Sequence, residues 1–301
     1  TYTMNLNTSF SGDDNLYVRL KTGNASGWMQ QKDEAAYLSS AKAGGDDMGV
    51  DKIWYSFPIG DSYTAWVGPK IENYYMHATT PSIYSPTLKA FTLGGNAAAY
   101  GASTNSGFGL AYNNDNGFAI SSNAVSQQNG HATKNGTPDG FFADGSATSW
   151  ATQVGYTQPQ YAVSAIVNLK YNGWKDEYFS TANGYSRSSN SADGNSTNLG
   201  LRAWWRPLET GTAIPSISVG FDSSGIDGAT AGNNSTDMYF LGLNWTDMFR
   251  AEDKIGAAIG QPQTNENDTV DPFVWELYYS FKPNDSMEYR TTLFGGTDNN
   301  G

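Results

Sequence analysis

The stretch PFVWELYYSFKPNDSMEYRTTL, residues Pro272–Leu293, places an apolar side chain at every second position. Phe273, Trp275 and Leu277 lie on one side of this alternation. A period of two is typical of a β-strand whose two faces meet different surroundings. The interruption Pro283–Asp285 predicts a turn, after which the alternation resumes. The stretch therefore predicts a hairpin with one aromatic and aliphatic face and one face of charges and hydroxyls.

The same alternation recurs along the chain and is cleanest in Tyr161–Tyr171, where Tyr and aliphatic side chains face Ser164, Asn168 and Lys170. We count about 14 strands in hairpin order, joined alternately by short and long connections. A soluble sandwich is one architecture for such strands, but its Greek-key crossovers give no reason for this alternation. Short turns at one end and long loops at the other are typical of a transmembrane barrel.

The predicted fold is therefore all-β, a transmembrane antiparallel up-and-down β-barrel that forms one domain over residues 1–301. Its short turns would be periplasmic and its long loops extracellular. The chain begins within a strand and ends in a polar stretch, 298–301. We expect one more strand at each end of the full protein, which gives about 16 strands.

Composition agrees with this fold and excludes other classes. Hydrophobic residues make up 38% of the chain and mean hydropathy is −0.52. No stretch approaches the roughly 20 apolar residues of a membrane helix. The absence of cysteine rules out disulfides and a cysteine nucleophile. A formal charge of −12 makes nucleic acid an unsuitable partner.

Strand parity predicts which charged side chains face water inside such a barrel. An Arg or Lys against lipid at mid-depth costs roughly 2–4 kcal/mol, so these groups should point inward. Two interpretations remain open: a basic ladder that guides solutes, or ordinary wall charges paired with carboxylates. The predicted pore-lining residues are Arg19, Lys21, Lys52, Lys170, Arg202, Arg206, Glu276 and Arg290.

Neither catalytic nor metal chemistry is predicted. His77 and His131, the two histidines, lie in different loops, and neither Glu72 nor Asp139 completes a known ligand spacing with them. A serine or aspartate nucleophile would also need a histidine in a recognisable motif. We therefore predict no enzyme activity and no cofactor.

Two blocks resemble the cyanobacterial outer-membrane porins, the carbohydrate-selective or iron-uptake type related to OprB. The first block is MNLNTSF, residues 4–10, followed by LYVRLKTGN, residues 16–24. The second is FTLGGN, residues 91–96, with GFGLAY, residues 107–112, and it is most similar to marine picocyanobacterial members.

This resemblance implies a homotrimeric, water-filled channel in the outer membrane, within lipid and lipopolysaccharide. Small polar solutes and inorganic ions, including iron, would pass through it. It also implies an N-terminal domain, absent from this sequence, that grips peptidoglycan-linked polysaccharide.

The resemblance further implies a third loop that folds inward and narrows the pore. Here that loop is 72–106, where Ala97–Tyr100 stands in place of the arginines of many relatives. Its candidate site residues are Tyr74, Tyr75, His77, Lys89, Asn96 and Tyr100.

Two other functions stay open on the sequence. One is a soluble secreted β-protein that binds carbohydrate on exposed tyrosines and tryptophans. The other is a plugged structural barrel that anchors the outer membrane to the cell wall. Solubility without detergent would favour the first, and a detergent-stable trimer without current would favour the second.

Overall fold

The computed structural model describes residues 1–25, 35–42, 45–100, 104–127, 141–143, 146–172, 174, 195–227, 234–264, 268 and 270–297. Fourteen strands are present in this part of the chain. They are β1 (Tyr2–Thr8), β2 (Asn15–Gly23), β3 (Gly45–Ile59), β4 (Tyr63–Glu72), β5 (Thr104–Asn113), β6 (Phe118–Gln127), β7 (Ala147–Gln158), β8 (Tyr161–Tyr171), β9 (Ser196–Trp205), β10 (Ser216–Ile226), β11 (Ser235–Thr246), β12 (Lys254–Thr264), β13 (Phe273–Asn284) and β14 (Met287–Thr297).

All described strands form one sheet in sequence order, and every neighbouring pair is antiparallel. The predicted all-β, up-and-down architecture is therefore confirmed. Within the described residues, β1 pairs only with β2 and β14 only with β13. In the register, residues that point to the same face of the sheet lie opposite each other. Asn5 lies opposite Arg19, and Ser280 lies opposite Arg290.

The alternation of short and long connections holds for most of the sheet. Two residues join β7 to β8, whereas the segment between β4 and β5 runs over 73–103. The rule fails at 206–215, because this connection is longer than 227–234 and 265–272. Strand β3 starts at Gly45, in a polar stretch. Glycine and aspartate in that stretch hide the alternation.

Apolar side chains form the outer face of the sheet. In β8 the exposure alternates strictly, with Tyr161, Val163 and Val167 exposed and Ala162 and Ile166 buried. Strand β13 shows the same pattern for the row that begins at Phe273. No second sheet covers these rows within the described residues. An exposed apolar belt on a one-layer sheet fits a barrel surrounded by hydrocarbon rather than a soluble sandwich.

The sheet curls around a segment of its own chain, the inner loop, defined here as residues 73–100. This loop contacts the inward faces of strands from β6 to β14. All of these contacts lie on one face of the sheet, the face opposite the exposed apolar rows. This arrangement is consistent with a sheet that curves around the loop, as in a barrel.

Candidate functional site: the inner loop and the wall it leaves open

The inner loop crosses the interior, turns back and returns to its starting side. It holds two 3₁₀ segments, Asn73–Met76 and Lys89–Gly94. Along most of its length, the backbone of the loop is hydrogen-bonded to side chains of the wall. Few of its buried polar groups therefore lack partners. In chain order the bonded pairs are Ala78–Ser121, Thr79–Gln153, Thr80–Trp204, Ile83–Ser218, Ser85–Asn244, Leu88–Glu276, Leu93–Arg202, Ala98–Gln263 and Ala99–Asn168.

A buried ion pair fixes the returning limb of the loop. Arg202 Nη1 lies 2.5 Å from the Asp222 carboxylate, and both side chains are almost fully buried. The same guanidinium donates to the carbonyl oxygens of Leu93 and Gly95, each at 2.9 Å. Its carbon lies 4.4 Å from the centre of the Tyr100 ring. Arginine suits this position because its planar guanidinium group can donate hydrogen bonds to a carboxylate and to two carbonyl oxygens at once.

A single carboxylate fixes the far end of the loop. Glu276 accepts hydrogen bonds from the backbone N–H of Leu88 at 2.7 Å and of Thr87 at 3.1 Å. The hydroxyl of Tyr84 donates to it at 2.8 Å. Arg290 on the next strand donates to the carbonyl of Ser85 at 2.9 Å. Charge-assisted bonds of this kind are about twice as strong as neutral ones, so this end of the loop is firmly held.

An apolar cluster fills the space between the loop and the wall. It consists of loop side chains packed on inward-facing residues of β11, β12 and β13. Burial of this surface stabilises the loop by about 25 cal/mol per Å². Its members are Tyr84, Leu88, Phe91, Ala97, Met238, Phe240, Ala258, Val274 and Tyr278.

Two wall glycines allow the loop backbone to approach. A Cβ at Gly220 would overlap the carbonyl oxygen of Gly94, and one at Gly155 would overlap the side chain of Thr79. Any larger residue there would push the loop into the interior. Inward-facing glycines in a strand are thus a sequence signal that another part of the backbone packs closely there.

The predicted pore-lining residues fall into three groups by exposure. Lys52, Lys170, Arg202 and Glu276 are at most 5% exposed, and the inner loop bonds Arg202 and Glu276. The side chains of Arg19 and Arg290 are each 20% exposed, and Lys21 is half-buried. Arg206 is exposed at the start of the connection 206–215 and donates to the carbonyl of Pro159 at 2.7 Å. That these groups line a conducting path stays a prediction.

The predicted loop residues all lie in the interior, but they serve different contacts. Tyr75 accepts a bond from Arg19 Nη1 at 3.0 Å, and its ring lies 4.6 Å from that of Tyr74. Asn96 donates weakly to the carbonyl of Lys89 at 3.3 Å.

His77 lies edge-on to Tyr100 at 5.5 Å between ring centres. Burial lowers the pKa of His77 to about 3, so its imidazole stays neutral at physiological pH. Of the other residues considered with His77, His131 and Asp139 lie outside the described residues. In the described part of the chain, no three His, Cys, Asp or Glu side chains gather as a metal site.

One part of the inner wall stays open. On β1, Asn5 and Asn7 are exposed, and they bond Tyr17 and Asn15 of β2 rather than the inner loop. The register places them on the same face as Arg19. We call this inward face of β1 the open wall; β2 and β14, in contrast, both contact the inner loop.

Comparisons with known proteins agree with this architecture. No family model and no curated protein matches the sequence. Among solved structures, OprB of Pseudomonas putida matches with a TM-score of 0.61 at 11% identity, over 94% of this chain and 78% of that one. A loop-deletion mutant of OmpT, an outer membrane protein of Vibrio cholerae, matches with a TM-score of 0.55 at 12% identity, over 98% and 84%. A mutant porin of Rh. blastica matches with a TM-score of 0.53 at 8% identity, over 98% and 83%.

At such identities the likeness concerns the fold, and the fold is that of the porin β-barrels. Within the described residues, no helix is both long and apolar enough to cross a membrane.

Proposed function

We propose that this protein is a bacterial outer-membrane porin, a water-filled channel for passive diffusion of small polar solutes and inorganic ions. The observation that carries the proposal is the inner loop. It is bonded to the inward faces of strands from β6 to β14 and to Arg19 of β2, and it leaves the open wall of β1 uncovered. A loop that narrows the interior without filling it suits a diffusion channel with a size limit.

The distribution of polarity supports the same function. Apolar residues such as Val163 and Leu201 are at least 50% exposed on the outer face. Charged groups such as Arg19 and Arg290 point inward. A wall that is apolar outside and polar inside separates lipid from water. The soluble carbohydrate-binding alternative would leave the outer belt in contact with water, which is unfavourable over so large an area.

Planar-bilayer recording tests the proposal. Folded protein purified in a non-ionic detergent should insert and conduct stepwise ionic current, and loaded liposomes should swell in small sugars. Insertion without current would favour the plugged structural barrel. A protein that stays monodisperse in detergent-free buffer and never inserts would contradict the channel.

Three finer features remain proposals that rest on the sequence resemblance: a homotrimer, a cyanobacterial source and iron among the solutes. The mass of the detergent-solubilised protein tests the first of these. Three chains of 32.5 kDa each are expected, after subtraction of bound detergent. Attachment to peptidoglycan-linked polysaccharide would require the full-length protein, in which the N-terminal domain is expected.

A further inference from the structure

The connection between β9 and β10 is long for its end of the sheet. It runs over 206–215, whereas two residues join β7 to β8 at the same end. Two hydrogen bonds tie it to the end of β11. The N–H of Gly211 donates to the carbonyl of Thr246 at 2.8 Å. The indole N–H of Trp245 donates to the carbonyl of Ala213 at 2.9 Å, so the connection has a defined position.

This connection and the inner loop border a cavity of about 250 Å³. Ile214 lines it from the connection, and Ile83 and Ser85 line it from the loop. The loop side is firmly held, because Arg290 donates to the carbonyl and to the hydroxyl of Ser85 at 2.9 and 3.1 Å. Every connection at this end of the sheet lies within the described residues. The described residues therefore account for the surroundings of the cavity.

Charges of both signs line the cavity. Arg206 and Lys254 supply two cations, and Glu209 supplies a carboxylate. Arg206 donates through Nε to the carbonyl of Pro159 at 2.7 Å. Among the described residues, these three side chains make no other hydrogen bond and no ion pair. Opposite charges thus lie around one cavity without pairing with each other.

Carboxylates beside the cavity have other partners. Asp253, which precedes Lys254 in the chain, accepts three backbone N–H groups of its own turn. Asp247 accepts a backbone N–H of the same turn at 2.6 Å. Glu288 lies within electrostatic range of Lys254 but bonds Arg290 at 3.1 Å. Within the described part of the chain, none of these carboxylates forms an ion pair with Lys254.

A guest that carries one charge of each sign matches this lining. Its carboxylate would accept hydrogen bonds from Arg206 and Lys254, and its ammonium group would donate to Glu209. Hydrogen bonds between charged groups are about twice as strong as those between neutral groups. A simple anion would be repelled by Glu209, and a simple cation would be repelled by the two basic side chains. Ile83 and Ile214 offer apolar surface to a short hydrocarbon side chain.

We propose that this cavity is a binding site for small zwitterions of the α-amino acid class. The proposal names a class of solute for the proposed channel, and it rests on that function for any role in transport. Binding to the folded protein can be measured without any current, which separates the two claims.

Saturation-transfer difference NMR with L-valine tests the site on the folded full chain in a non-ionic detergent, with empty micelles as the blank. Two further probes share the branched skeleton: isovalerate lacks the ammonium group, and isobutylamine lacks the carboxylate. L-Valine should bind about fivefold more tightly than either, the order expected when one solvent-accessible charge pair is lost. Equal affinities of L-valine and either probe would overturn the assignment to zwitterions.

Substitutions test which side chain meets which charge. Glu209→Gln should weaken L-valine about fivefold without weakening isovalerate. Lys254→Gln should weaken L-valine and isovalerate without weakening isobutylamine. Lys282→Gln is the matched control, because Lys282 lies at the same end of the sheet but pairs with Glu252 at 2.9 Å, outside the cavity. An equal loss in Lys282→Gln would overturn the site.

The outcomes for the site and for the channel are distinct. Absence of L-valine binding would overturn the site even if bilayers show current. L-Valine binding in a protein that never conducts would instead support the site and overturn the channel.

Discussion

Arg202 shows how one residue can decide the shape of the interior. The alternation along β9 places it inside the barrel, but its partners come from two distant parts of the chain: Asp222 on the next strand, and the carbonyls of Leu93 and Gly95 on the inner loop. A buried charge is tolerated only when it is paired and hydrogen-bonded, and here both conditions are met. The residue is therefore a positioning residue for the loop.

Removal of this charge should release the returning limb of the loop. Arg202→Gln leaves Asp222 buried without its partner, and loss of one member of a buried pair costs about 3–5 kcal/mol. We expect a lower urea midpoint for unfolding in detergent and a larger single-channel conductance. Arg206→Gln is the control, since Arg206 is exposed and should change the midpoint little. Equal midpoints for the two variants would refute the role given to Arg202.

Gly220 allows a second test at the scale of single residues. Gly220→Ala should push the loop at Gly94 away from the wall and lower stability by about 1–3 kcal/mol, as overpacking does. Gly225→Ala in the same strand meets open space and should be nearly neutral. Unfolding of both variants under identical conditions makes the comparison. If Gly220→Ala leaves the unfolding stability unchanged, the loop does not press on β10.

At the scale of elements, the turn between β1 and β2 is built around one carboxylate. Asp14 accepts bonds from the backbone N–H of Phe10 and Ser11 and from the hydroxyls of Ser9, Ser11 and Tyr55. The connection 247–253 repeats the design, with Asp253 as acceptor for three backbone N–H groups and for Tyr279. In both cases, the aspartate joins a short connection to a tyrosine of the strand that follows the hairpin.

Acid should weaken the first of these turns. The hydrogen bonds, that from Ser9 above all, hold the pKa of Asp14 well below its usual range. Because the folded value is depressed, this stabilisation is complete above about pH 4, the unfolded value, and is lost progressively at lower pH. The difference between the unfolding midpoints of wild type and Asp14→Asn should therefore be constant above about pH 4 and shrink as the pH falls from 4 to 2. A difference that stays constant down to pH 2, or the same pH-dependent change in the exposed-site control Asp13→Asn, would contradict this.

At the scale of the whole molecule, the sequence predicted the barrel better than its interior. A period of two in β8 and β13 is a local signal, and it identified the outward apolar face and the inward face correctly. The path of the inner loop has no such period. Its position depends on contacts between residues far apart in sequence, such as Leu88 with Glu276. Parity could place Lys170 and Glu276 inside, but it could not show that the interior is partly occupied there.

We propose that solutes pass along the open wall of β1, beside a loop that is held against other strands of the sheet. Single-channel current before and after a bulky charged thiol reagent tests it most directly, because the native chain has no cysteine. The reagent should reduce the current through Asn5→Cys, on the open wall, and leave Asn168→Cys, buried under the loop, unchanged. An unaffected Asn5→Cys channel, or a block at Asn168→Cys, would contradict this path.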